Sequence, residues 1–347
     1  MQPALPALSE PALPQPARSL RRGGRWWGRL GLATLDLALV GLALYALLRL
    51  ALGNDWWVLR AGGTFAHWGL LPALLLVPLP FLRRRWALAP VALFSAVAYL
   101  SWFGGLWLPK NPGLPAEAPA LTVMTFNIAS YRSDPERLVA AIRTADADVV
   151  AMQEVSQGHA AELDRHLAER YPHRVFLPDP LNTVTGKALL SRYPITRTET
   201  FVVPWNPSLS LEAWLDVEGQ PLQLLNIHPP PPLINAQGEL FGHHFTTETI
   251  LAEALARLDP DVPSIIACDC NLTDQHPPYA LLEAAGLRDA WRQNGWGFGN
   301  SFPAGWPLIR IDYLWADSLV RLGAVQVLDG GSSDHRPVRA EVALLGG

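Results

Sequence analysis

Cysteine and lysine are scarce in this chain. Only Cys268 and Cys270 occur among 347 residues, which excludes a framework of several disulfides. Two residues apart on one strand they are expected to remain free thiols, because a bridge at that spacing is strained. Lysine occurs twice, at Lys110 and Lys187. No Gly-rich phosphate loop and no internal repeat is present, so nucleotide cradles of the P-loop type and repeat arrays are excluded. The net charge of −4 conceals two unlike parts. Residues 1–120 carry 11 Lys/Arg against 4 Asp/Glu, and residues 121–347 carry 16 against 27. The second part therefore lacks the overall basic balance by which nucleic-acid enzymes usually attract a phosphate backbone.

Residues 1–29 read as a disordered basic segment, Pro- and Ala-rich to Ala17 and then dense in arginine around Trp26 and Trp27. A packed core cannot be built from such a composition. Residues 30–108 read as a membrane domain with three spans, at about 30–52, 64–82 and 86–107. Long apolar runs flanked by Arg and Trp carry that reading. Asp36 and Arg49 fall inside the first run and need an end position or a facing helix. Pro72, Pro78, Pro80 and Pro90 are expected to kink the spans. The N-terminal arginines and Arg83–Arg85 place those ends in the cytoplasm by the positive-inside rule, which delivers Lys110 onward to the extracytoplasmic side. Residues 109–120 form a Pro/Ala-rich linker.

Residues 121–347 alternate strands and helices irregularly. Strands are expected at 121–128, 148–152, 188–191, 212–217, 222–228, 264–269, 311–315, 325–328 and 338–345. Helices are expected at 134–145, opened by Asp134-Pro135, and at about 157–170 and 245–258. The fold class that follows is α/β, a sandwich of sheets flanked by helices. Polar groups recur at strand ends: Asn127, Gln153-Glu154, Asn226-Ile227-His228, Asp269-Cys270-Asn271, Arg310-Ile311-Asp312-Tyr313 and Ser333-Asp334-His335. A carboxylate ending an apolar strand is costly without a counter-charge, which a hard divalent cation bound by oxygens supplies. Strand alternation puts Asp269 and Asn271 on one face and the two cysteines on the other. Singly each residue has an ordinary reading: a turn Asn127, a surface Glu154, a core His228, a salt-bridged Asp312.

As an ordered set, with Ala188-Leu189-Leu190-Ser191-Arg192-Tyr193-Pro194-Ile195 between them, these pieces resemble the endonuclease/exonuclease/phosphatase superfamily over Leu121 to about Leu345. The resemblance implies a four-layer α/β sandwich of two packed mixed sheets flanked by helices. It implies Glu154 as principal ligand of Mg²⁺, with Mn²⁺ the alternative, and Asn127 and Asp334 completing or orienting the shell. His335 would be the general base on the attacking water, steadied by Asp312. Asp269 and Asn271 would position nucleophile and phosphate, with His228 on the phosphate oxygens. Hydrolysis of a phosphoester needs those functions in any case: neutralised charge at phosphorus, a base, and oxyanion donors.

Two departures stand out. The family's Gly-Asp-Phe-Asn is here Cys268-Asp269-Cys270-Asn271, and His228 is followed by Pro229-Pro230-Pro231-Pro232, a rigid extended segment. Adjacent His243 and His244 diverge as ligands and read as loop residues. The expectation is a membrane-anchored, multi-pass, divalent-metal-dependent phosphoesterase on a lipid-linked or small phosphoester. The alternatives are a secreted-side nuclease on DNA or RNA and an inactive phospho-ligand-binding domain.

Overall fold

Proline and arginine shape the N-terminal third of the chain. The computed structural model describes residues 20–54, 56–179, 184–204, 206–232 and 245–345. The disorder expected of residues 1–17 and the reading of His243-His244 lie outside them. Helix α1 (Leu20–Leu52) starts ten residues before the expected apolar run, so residues 20–29 are helical rather than disordered. Short helices α2 (Trp57–Thr64), α3 (Ala66–Gly69), α4 (Pro72–Leu76) and α5 (Pro78–Leu82) follow, then α6 (Ala89–Phe103), with 3₁₀ turns at Trp86–Leu88 and Gly104–Trp107.

This corrects the expectation of three continuous spans. Among the described residues two helical stretches, Leu30–Leu52 and Trp86–Trp107, are long and apolar enough to cross a membrane. The middle run is broken, bending by 76° between Trp57–Thr64 and Ala66–Leu82. Pro72 and Pro78 begin helical turns because proline lacks the N–H that would continue the preceding one. The charges inside the apolar helices find partners. Asp36 pairs with Arg83 and Arg85 at 2.6 Å each, and Arg49 donates to the Tyr45 hydroxyl (3.2 Å) and the Gln275 carbonyl (2.9 Å).

Beyond the linker two six-stranded sheets are docked face to face. The first takes β1 (Ala120–Asn127), β2 (Val149–Gln153), β3 (His173–Leu177) and β4 (Lys187–Ser191). The second takes β5 (Ile195–Val203), β6 (Asn206–Val217), β7 (Gln220–Ile227), β8 (Ser264–Asp269), β9 (Arg288–Asp289) and β10 (Asp312–Ala316). The chain then returns to the first sheet with β11 (Val320–Val327) and β12 (Val338–Leu344). Strand orders are β11-β12-β1-β2-β4-β3 and β5-β6-β7-β8-β10-β9.

Alternating side chains give each sheet two apolar faces. Val123, Val149, Ala151 and Leu189 meet Leu211, Leu224, Ile265 and Leu314 between the sheets. Helices α7 (Pro135–Ala145) and α8 (Gln157–Leu167) cover the outer face of the first sheet. Helices α9 (Phe245–Ala256) and α10 (Pro277–Ala284) cover that of the second. A short α11 (Ala290–Asn294) follows β9. The result is the four-layer sandwich. Asp134 caps α7, its side chain accepting from the Arg137 amide at 3.0 Å.

Register is what positions the site. β1 and β2 are parallel, as are β7 and β8, so Asn127 and Gln153 end together, as do Ile227 and Cys268. β12 runs antiparallel to β1 with Val338 opposite Thr125, and β10 antiparallel to β8 with Asp312 opposite Asp269. Strand ends of both sheets thus reach one edge of the sandwich.

The two cysteines are not free thiols. Cys268 and Cys270 are disulfide-bonded, with Cα atoms 5.1 Å apart. Two residues of extended strand span roughly 6.6 Å. Here β8 ends at Asp269, and the contraction of the chain at that residue brings both thiols together on the core side.

Candidate active site

Each sheet contributes four of the eight expected residues. From the first come Asn127 at the end of β1, Glu154 just past β2, and Asp334-His335 on the loop entering β12. From the second come His228 past β7, Asp269 ending β8, Asn271 beyond it, and Asp312 opening β10. All eight are brought together. Six line one pocket: Glu154, His228, Asp269, Asn271, Asp334 and His335. Asn127 and Asp312 lie behind, fully buried, and act through bonds to the pocket floor.

Asp269 is the centre of the arrangement. Its Oδ2 accepts from Asn127 Nδ2 at 2.8 Å and lies 3.4 Å from His228 Nε2 and 3.6 Å from His335 Nε2. Burial pushes this carboxyl up, but His335, His228 and Asn127 outweigh it and hold its pKa at about 2. His335 Nδ1 faces Asp312 Oδ2 at 3.0 Å. Burial would lower the imidazole pKa, yet Asp312 and Asp269 raise it to about 10. Burial raises Asp312, with His335 opposing, and of this pair the imidazole keeps the proton. Asn271 Nδ2 completes the floor, 3.1 Å from His228 Nε2 and donating to Pro229 O at 2.9 Å.

The supporting contacts explain why the loop holds its shape. Ser333 Oγ donates to Asn127 O at 2.7 Å and accepts from the His335 amide at 3.0 Å, which ties the His loop to the end of β1. A Cβ on Gly330 would stand 2.2 Å from His335 O, so only glycine lets the loop approach. Gln153 Nε2 donates to Asn226 Oδ1 (2.8 Å), and Asn226 Nδ2 to Met152 O (2.9 Å) and Ala188 O (3.1 Å), which ties the two sheets together directly beneath the site.

Two carboxylate oxygens stand apart from this network. Glu154 Oε2 and Asp334 Oδ1 are buried without a hydrogen-bond partner. Glu154 is itself held at φ 56°, and burial raises its pKa with His228 and Asn127 opposing. Asp334 spends its other oxygen on Arg132 (2.9 Å) and the Tyr131 hydroxyl (3.2 Å). Unpaired, buried hard oxygens on half-buried acids are the donor chemistry of a divalent cation. Asp269, Asp312 and His335 also bring ligand-type atoms within 4.8 Å of one another. There, however, both ring nitrogens of His335 already face carboxylates, so this triad reads better as a bridged His–Asp pair than as a cation cage.

Sequence reasoning missed four contributors. Lys187 is wholly buried, its Nζ donating to Thr185 O at 2.8 Å, and burial lowers its pKa to about 7 against the pull of Glu154 and Asp269. The only signal was a lone lysine in an apolar strand. Tyr131 sits in the loop after β1 beside Asp334. Thr64 and Phe65, from the bend between α2 and α3, also line the pocket; they fell in a run read as a membrane span.

Two docked mixed sheets with a His–Asp pair and unpaired acids at one edge define a phosphoesterase or nuclease type of fold. The model of the Endonuclease/Exonuclease/phosphatase family matches residues 124–335, and the chain belongs to that family. Its members are divalent-metal-dependent hydrolases of phosphate esters. The uncharacterized protein YbhP of Escherichia coli K12 is 27% identical over 232 residues, which is 59% of this chain and 86% of YbhP. An endonuclease/exonuclease/phosphatase structure from Beutenbergia cavernae is similar with a TM-score of 0.54 at 25% identity, over 66% of this chain and 72% of that one. The structure of D. rerio TDP2 complexed with a single strand DNA product shares the fold with a TM-score of 0.52 at 18% identity, over 64% and 98%.

Proposed function

We propose that the chain is a membrane-anchored, Mg²⁺-dependent phosphoesterase whose catalytic domain lies outside the cytoplasm. The observation that carries this reading is the juxtaposition of the His335–Asp312 pair at 3.0 Å with the two unpartnered oxygens Glu154 Oε2 and Asp334 Oδ1, with His335, Glu154 and Asp334 all lining one pocket. Glu154 and Asp334 would hold the cation, with Asn127 orienting the shell through Asp269. A divalent cation there supplies charge neutralisation at the phosphoryl group and disfavours a second positive charge on the neighbouring imidazole.

The chain's own residues account for the remaining steps. Water oxygen bonds to phosphorus as the ester P–O bond breaks, and the water proton passes to Nε2 of neutral His335. Asp312 stabilises the imidazolium that forms and fixes the ring at Nδ1. Asp269 and Asn271 align the water and the phosphate. His228 contacts a phosphoryl oxygen, and the proton on His335 finally returns to the leaving oxygen. A module that only binds phosphate has no use for so buried a His–Asp pair. The nuclease alternative is disfavoured by the pocket, since no Lys or Arg is among the described residues that line it.

The membrane reading rests on the apolar helices, and its orientation on arginine. Pairing of Asp36 with Arg83 and Arg85 brings the N-terminal half of α1 beside the basic turn, as expected if both face the cytoplasm. The Cys268–Cys270 bond fits an oxidising compartment on the other side.

The direct test uses the full chain in detergent with bis(p-nitrophenyl) phosphate and titrated Mg²⁺. Glu154→Gln and Asp334→Asn are expected to lose roughly 10²–10⁴-fold in rate and to weaken Mg²⁺ binding in calorimetry. Wild-type turnover by Glu154→Gln would refute the proposal.

A further inference from the structure

We infer that the corner of the bent helix pair is a wall of the substrate pocket, and that the substrate is a lipid phosphoester whose hydrocarbon tail lies against Phe65. This rests on the phosphoesterase reading and specifies its substrate class. The cavity measures about 1040 Å³, at the upper end of the roughly 300–1,000 Å³ that encloses a whole small ligand. Its floor is the polar site. Its walls are Phe65, Pro230, Pro231, Leu272, Phe302 and Ile309. A headgroup phosphate on the floor leaves this apolar volume unfilled, and no Lys or Arg among the described lining residues would meet the further phosphates of a nucleic-acid backbone.

The corner is docked on the catalytic domain by a set of directed bonds. Thr64 Oγ1 lies 3.2 Å from His276 Nε2. His67 Nε2 and Trp68 Nε1 both lie 2.8 Å from Leu308 O. Arg49 near the end of α1 and Asn54 in the turn after it, outside the corner itself, both donate to Gln275 O, at 2.9 and 2.7 Å. Leu308 adjoins the pocket wall at Ile309, and Gln275 adjoins His276 on the other side, so the bonds that seat the corner also shape the cavity. Phe65 is 44% exposed within a concave site, Trp68 on the same corner is 40% exposed, and Trp56 at the other end of α2 is 48% exposed. Exposed aromatics beside membrane helices sit at the level of lipid headgroups. A lipid can then place its phosphoester on the floor and keep its tail on the apolar wall that leads back to the bilayer.

The test compares methyl p-nitrophenyl phosphate with hexadecyl p-nitrophenyl phosphate, which share a leaving group and differ only in the tail. The full chain is assayed in phosphatidylcholine nanodiscs with Mg²⁺. The readout is the ratio of kcat/KM for the two esters, which cancels any general loss of activity. Wild type is expected to favour the hexadecyl ester strongly. Phe65→Ser should lower that ratio about tenfold, the scale of one lost aromatic contact, while Phe65→Leu retains most of it. Partition of the tailed ester into the disc is the same for every variant, so a ratio unchanged in Phe65→Ser overturns the inference. Turnover of the methyl ester with no preference for the tailed one overturns it as well, leaving the phosphoesterase reading intact. Turnover of neither ester overturns both.

Discussion

Lys187 and His335 bear on stability with opposite signs across one pH window, and removing the lysine should expose this. Burial lowers Lys187 from 10.5 to about 7. Between those values the unfolded chain binds the proton and the folded chain does not, so this group makes stability rise with pH. His335 is raised from 6.5 to about 10. Its contribution is fully present below pH 6.5 and is lost as pH rises through about 10. Each shift spans about 3.5 pKa units, equivalent to about 3–4 kcal/mol between pH 7 and 10 at 1.36 kcal/mol per unit. The wild-type chain with metal chelated should therefore be nearly flat over that range. In Lys187→Met the desolvation penalty disappears, and the lost Nζ bond to Thr185 O costs back about 1 kcal/mol. The variant should be about 3 kcal/mol more stable at pH 7, or roughly 6–12 °C in Tm at about 2–4 °C per kcal/mol. It should then lose that advantage steadily toward pH 10. Tryptophan fluorescence melts of the full chain in detergent with EDTA, at a fixed scan rate, measure both quantities. A variant less stable than wild type at pH 7 would show that Lys187 is a charged partner of Glu154 and Asp269, and would refute the reasoning.

Two further outcomes follow from the same geometry. His335→Ala should lower the rate on a soluble phosphodiester by roughly 10³–10⁴-fold and Asp312→Asn by less. In the chelated chain the His335 ring should titrate near 10, and NMR should show Mg²⁺ moving that titration downward. An unmoved titration would separate the cation from the imidazole. For topology, a reporter active only outside the cytoplasm should work when fused after Leu345 and fail when fused before Leu20; the reverse pattern would place the catalytic domain with the cytoplasmic substrates.

Much of the site was legible because burying a polar group at a strand end leaves a mark in sequence. Glu154, Asp269 and Asp312 each interrupt or end an apolar run, and the His loop directly precedes the closing strand. Helix α7 was read to its end residues from Asp134-Pro135, since capping is a local property. Strand β5 was not read. It is largely exposed, and Thr196 to Thr200 carry no apolar alternation to betray it. Pairing of the cysteines depended on a local contraction of the chain at Asp269 that no spacing reveals. The burial of Lys187 and the 76° bend at Phe65 are products of tertiary contact: the first depends on what covers β4, the second on bonds to His276 and Leu308, more than 200 residues away.

The division of the site between the sheets has a consequence for biosynthesis. β12 inserts between β11 and β1, and the loop before it carries Asp334 and His335. A nascent chain whose first eleven strands have left the ribosome still lacks His335, to which the proposed mechanism assigns water activation, and has an open edge on β1. Such an intermediate could be threaded through or along a membrane made of phosphoesters without cleaving any of them. Hydrolytic capacity would switch on in a single late event, when the returning strand zips onto β1 and the loop closes over Asp312. Non-local pairing of this kind is slow, and under the proposed membrane anchoring that slowness would delay the first turnover until the apolar helices have reached the bilayer.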